Sequence, residues 1–213
     1  MRGTNKKLVN RDCVAAMVVF ATLTTPALAQ PLEPYIAAHT GFARSDENNL
    51  INADTAYAGV DIGLMPERAG LGFFVAADYA EANVESYNWP GDVVQGDTRA
   101  LAVTANVALY GPEIGSVRPY GALGAGWMRT EYDVPGTVEN GAVPFLMDAQ
   151  HDGVAARAQI GLLADLAGGW SVDTSAVYLT GFDRKIPLEQ GPLDANPGIH
   201  RQWAVRVGVR KAF

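Results

Sequence analysis

The sequence predicts an all-β chain: an eight-stranded antiparallel up-and-down β-barrel that crosses a membrane and follows a cleaved leader. Three observations lead there. Eight segments alternate apolar and polar residues with period two, the pattern of a strand that meets different surroundings on its two faces. The links between them alternate short and long. Nearly all charges within the segments fall on the face opposite the apolar one, as lipid outside and a polar lumen inside require.

The leader comes first. Arg2, Lys6, Lys7 and Arg11 precede an apolar run from Cys13 to about Leu23, and Ala27-Leu28-Ala29 follows. Basic region, apolar region and A-x-A site read as a secretory signal peptide over residues 1–29, leaving a barrel domain over 30–213. The single cysteine, Cys13, lies in the leader, so the mature chain has neither a disulfide nor a thiol nucleophile. The whole chain carries 16 Lys and Arg against 23 Asp and Glu; without the four basic residues of the leader and Asp12, the balance is 12 against 22, a net of −10. Such an acidic chain excludes nucleic acid as a natural partner, because phosphate calls for positive charge.

Strand one is Tyr35–Ala43, with Ile36, Ala38, Thr40 and Phe42 on one face. Strand two, Thr55–Leu64, sets Ala56, Ala58, Val60, Ile62 and Leu64 against Tyr57, Gly59 and Asp61. Strand three, Leu71–Ala80, sets Leu71, Phe73, Val75, Ala77 and Tyr79 against Phe74, Ala76 and Asp78. Strand four is Arg99–Tyr110, with Leu101, Val103, Ala105, Val107 and Leu109 aligned. Strands five to seven are Arg118–Thr130, Val154–Leu166 and Trp170–Gly181. The last is the terminal segment, where Trp203, Val205, Val207 and Val209 oppose Gln202, Ala204, Arg206, Gly208 and Arg210. A tilted strand needs about nine to eleven residues to cross a bilayer, and each segment supplies them. Short links at Met65–Gly70, Gly111–Val117 and Ala167–Gly169 read as periplasmic turns. Long polar ones at Arg44–Asp54, Glu81–Thr98, Glu131–Gly153 and Phe182–Ile199 read as outer loops.

Asp61, Asp78, Arg157, Asp165, Asp173, Arg206 and Arg210 all have lumen parity. An Arg or Lys facing lipid at the midplane would cost about 2–4 kcal/mol. The charges of lipid parity, Arg99, Arg129 and Lys211, sit near strand ends, where they can reach the headgroup layer. Phe73, Tyr79, Trp170, Tyr178 and Trp203 share lipid parity near strand ends and are expected as interfacial aromatics.

Arg118-Pro119-Tyr120-Gly121-Ala122-Leu123-Gly124-Ala125-Gly126-Trp127 is similar to the P-Y-x-x-x-G-x-G strand of small outer-membrane proteins. Trp170-Ser171-Val172-Asp173 with Val177-Tyr178-Leu179 is similar to the strand that follows it, with Val177 where an arginine is usual. Together with terminal Phe213, the mature chain resembles the OmpA/OmpX-like superfamily of eight-stranded outer-membrane barrels, akin to opacity and porin-family proteins. That resemblance implies a location in the outer membrane of a Gram-negative bacterium, among lipid and lipopolysaccharide. It also implies that Arg206, Gly208 and Phe213 form a signal for the barrel-assembly machinery, from which Lys211 departs.

Eight strands enclose a lumen that side chains can fill. Asp165 and Asp173 are therefore expected low in the barrel beside Arg206 and Arg210, with Asp61 also low and Asp78 and Arg157 higher. The outer loops are acidic, with Asp46, Glu47, Asp54, Glu81, Glu85, Asp92, Asp97, Glu131, Asp133, Glu139, Asp148 and Asp152. They also carry Tyr87, Trp89, Phe145 and Leu146, a mixture suited to a surface ligand. The expected function is structural or surface-interacting, without enzymatic activity, cofactor or metal. A narrow pore gated by the Asp/Arg network is the alternative. A lipid A hydrolase is a more distant one, since His39, His151 and His200 are not placed in the sequence to serve Ser171 or Ser175.

Overall fold

The computed structural model describes residues 31–45, 54–86, 93–138, 143–182 and 201–213. Residues 1–30, and with them the expected leader, lie outside the described residues, as do Asp46, Glu47, Tyr87, Trp89, Asp92, Glu139 and His200. Eight strands form one closed antiparallel barrel in sequence order. They are β1 (Leu32–Ser45), β2 (Asp54–Pro66), β3 (Gly70–Ser86), β4 (Val93–Tyr110), β5 (Val117–Val138), β6 (Val143–Asp165), β7 (Trp170–Phe182) and β8 (Arg201–Ala212). The barrel closes where β1 pairs with β8, from Tyr35↔Ala212 to Ser45↔Gln202.

The register fixes the barrel's shape. Tyr35 leads across the strands to Gly63, Phe74, Asn106, Gly124, Arg157, Leu179 and Gln202, and back to β1 at Ser45, ten residues above the start. With ~3.3 Å per residue and ~4.8 Å between strands, that stagger tilts the strands by about 40°, within the usual range for a closed barrel. Alternation then does the sorting. Phe42, Ile160 and Val205 are 79%, 70% and 65% exposed on the outer wall, whereas Tyr35, Phe74, Arg206 and Arg210 are buried inside.

Two of the expected long loops are largely strand. Between the segments at Ala80 and Arg99, the chain continues as paired β3 and β4, up to Ser86↔Val94. Between Thr130 and Val154, β5 and β6 stay paired up to Val138↔Val143. The 22 residues of β5 are about twice what a tilted crossing takes. The physical reason for the difference is solvent: above the bilayer no lipid demands apolar residues on one face, so the alternation fades although the backbone ladder continues.

Both termini of the barrel and the short turns share one end, which the turn lengths mark as periplasmic. At this end Gly168 and Gly169 take positive φ of 72° and 75°, tightening the β6–β7 turn in a conformation that glycine adopts without cost.

Candidate functional site

The lumen is filled in three layers. Lowest is an aromatic cluster of Tyr35, Met65, Phe74, Tyr110, Tyr120 and Leu163 with small alanines. Highest are two apolar clusters, Ala43, Tyr57, Ala80, Ala100, Val177 and Ala204, and Ala102, Met128, Ala155 and Leu179. Between them runs a network of three arginines and three aspartates, all nearly solvent-free.

Arg210 joins the network to the lower cluster. Its Nη2 donates to Asp173 Oδ2 at 2.7 Å and its Nη1 to the Tyr110 hydroxyl at 3.0 Å, while the guanidinium lies 4.1 Å from the Tyr35 ring centroid. The Tyr120 hydroxyl donates to Asp173 at 2.8 Å and accepts from the Gln159 amide, linking β5, β6 and β7. Above it Arg206 donates from Nη2 to Asp61 Oδ2 at 3.0 Å and from Nε to Ser175 Oγ at 2.8 Å. His39 Nε2 lies 2.9 Å from the same Asp61 oxygen, so Oδ2 of an ionised Asp61 accepts from both Arg206 and His39. Asp78 takes Arg157 on one oxygen and the Tyr57 hydroxyl on the other, and Arg206 Nη1 stands 3.7 Å from it. Charge balances within the layer, which is the condition for keeping six ions out of water.

Of the seven lumen charges singled out from the sequence, six meet here: Asp61, Asp78, Arg157, Asp173, Arg206 and Arg210. Asp165 does not. It stands at the periplasmic mouth, about one third exposed, 3.8 Å from Arg118 Nη2 and away from Arg206 and Arg210. Asp165 and Arg210 both pair with Ser171, but they stand two tilted strands apart, which leaves Asp165 nearer the mouth. Arg118 donates to the Pro66 carbonyl at 2.9 Å, holding the β2–β3 turn to β5. Sequence reading leaves out Arg118 and the uncharged members His39, Tyr57, Tyr110, Tyr120, Gln159 and Ser175. Lumen parity is the available signal for all of them.

Gly208 belongs to the same wall. A Cβ there would strike the Ala38 carbonyl and the His39 ring, so glycine admits the close approach of β1 to β8. Ser175 has its hydrogen bonds with Arg206 and Gln159, and His39 has its own with Asp61, so the described serine and histidine of this layer are not paired for nucleophilic chemistry.

On the outer wall Phe73, Tyr79, Trp170 and Trp203 are exposed, and Tyr178 packs on Trp203 with ring centroids 4.5 Å apart. Phe42 and Trp127 extend the upper aromatic row, and Phe213 stands 74% exposed beside Trp170 and Lys211 at the lower rim.

A closed eight-stranded barrel with apolar outer wall, aromatic rims and ion-paired interior defines a small outer-membrane β-barrel protein. Residues 13–210 match the family model described as the outer membrane protein beta-barrel domain, and the chain belongs to that family. Its fold is similar to that of Neisserial surface protein A, with a TM-score of 0.55 at 15% identity, covering 84% of this chain and 97% of that one. It is also similar to OprG of Pseudomonas aeruginosa, with a TM-score of 0.53 at 16% identity over 86% and 98% of the two chains. A third is a major outer membrane protein of Thermus thermophilus, with a TM-score of 0.50 at 14% identity over 86% and 100%. At these identities the likeness is one of fold. No curated protein matches the sequence.

Proposed function

We propose that this barrel works at the cell surface as a non-enzymatic interaction protein, its lumen serving as a structural plug. One observation carries the reading: β3–β6 rise past the aromatic rim and place Asp97, Asp133 and Asp148 opposite one another on three adjacent strands. Like charges directly opposite destabilise a sheet. Such a row is therefore costly for the barrel itself and finds its natural compensation in a basic partner or shared divalent cations.

The test uses bilayer-embedded barrel titrated against basic surface and matrix proteins at low and high salt. Binding at low salt that weakens by about tenfold or more in Asp97→Asn/Asp133→Asn/Asp148→Asn is expected. Equal binding by both proteins contradicts the acidic face. The rival, a narrow pore, draws on the continuous Asp/Arg layer, and single-channel recording distinguishes the two. For Arg206, Gly208 and Phe213 we keep the proposal of an assembly signal, to which the exposure of terminal Phe213 lends support.

A further inference from the structure

Strand β6 has a neighbour on each side low in the barrel and on one side higher up. From Ala164 to Val154 it is held between β5 and β7, the uppermost β7 pair being Val154↔Phe182. From Gly153 to Val143 it continues beside β5, and among the described residues no strand pairs with its other side. That side is a sheet edge, along which every second residue turns its N–H and C=O away from β5. The opposite edge of the raised sheet is shorter: β2 follows β3 up to Thr55↔Ala82, and β3 ends at Ser86.

Proteins usually blunt such an edge with lysine, proline or a bulge. The stretch Phe145-Leu146-Met147-Asp148-Ala149-Gln150-His151 contains no lysine, arginine, proline or glycine. The β5–β6 register is unbroken from Val117↔Ala164 to Val138↔Val143, so no bulge turns the edge aside. At ~3.3 Å per residue this stretch offers about 20 Å of edge, the length of an ordinary strand.

Charge decides what can occupy it. Asp148 lies on the edge strand itself, with Asp133 and then Asp97 beside it in register. A strand added to β6 places its own residue next in that row. An acid there would add another like charge, whereas a lysine or arginine would pair across the strands with Asp148. A second copy of this chain is a poor occupant. Its β6 runs in the same direction when both barrels share a membrane, which rules out antiparallel pairing of the two edges, and it brings a further acidic row.

We propose that the β6 edge from Phe145 to His151 takes up an extended, basic segment of another protein as an added β-strand. Main-chain hydrogen bonds to β6 supply affinity, and a lysine or arginine opposite Asp148 supplies the preference for a basic segment. This docking mode rests on the acidic row as the partner-facing surface and adds the backbone of β6 to it.

The experiment titrates bilayer-embedded barrel with a short capped peptide of alternating lysine and valine. Two more peptides carry N-methyl groups on one or the other alternate set of backbone nitrogens, and a fourth has glutamine for lysine. The gel shift on boiling serves as the folding control. The unmethylated lysine peptide is expected to bind and to slow amide exchange at alternate residues of Phe145–His151. Methylation of the set that faces β6 should weaken binding about tenfold or more, and methylation of the other set much less. No binding by the unmethylated lysine peptide overturns the site. Equal affinity of all three lysine peptides, equal loss in both methylated ones, or unchanged exchange at those residues overturns the added strand. The acidic face would still stand if Asp97→Asn/Asp133→Asn/Asp148→Asn bound the lysine peptide more weakly. Equal binding of the glutamine peptide overturns the basic segment and the acidic row's part in it, whatever methylation and exchange report of the strand.

Discussion

Asp173 and Arg210 are 0% and 1% exposed, and each is the other's counter-ion. Removing one strands the other in a nearly dry layer, where the hydroxyls of Tyr110 and Tyr120 supply hydrogen bonds but no charge. Asp173→Ala is expected to cost about 3–5 kcal/mol, and adding Arg210→Met should restore a large part of it. Urea unfolding in lipid vesicles, followed by tryptophan fluorescence, measures both. These charges were legible in the sequence, because parity alone separates lumen from lipid. Their pairing was not, because it depends on the ten-residue stagger, which no single strand encodes. Asp165 shows the consequence: right parity, wrong height, and Arg118 as its neighbour.

At the level of the strand, the lipid-crossing segments were readable and their upper continuations were not. From Glu81 upward on β3 and Glu131 upward on β5, no lipid demands apolar residues on one face, so the sequence looks like loop while the ladder runs on. A hairpin of this kind belongs to the surface and not to the fold's core, and surface segments tolerate change. Replacing residues 134–147 by a short Asn-Gly turn is therefore expected to leave the barrel closed. The deletion should keep the compact gel band and its shift on boiling, with an unfolding free energy within about 1 kcal/mol of wild type. Loss of the compact band would mean that the tall hairpin is part of the folding unit.

For the molecule as a whole, the stagger and the strand number together set a bore that its own side chains occupy. Arg206, Arg210, Tyr35 and Tyr110 are nearly inaccessible within it, and the apolar clusters around Val177 and Leu179 cover the ionic layer from above. With the lumen filled, the proposed surface interaction falls to the raised sheet, where the acidic row stands. The most direct test is planar-bilayer recording of wild type beside Arg206→Ala, which opens space in the ionic layer. Wild type is expected to show no sustained conductance steps, with any activity confined to the enlarged variant. Steady steps in wild type that vanish in Arg206→Ala would contradict the plug and make the ionic layer a conducting path.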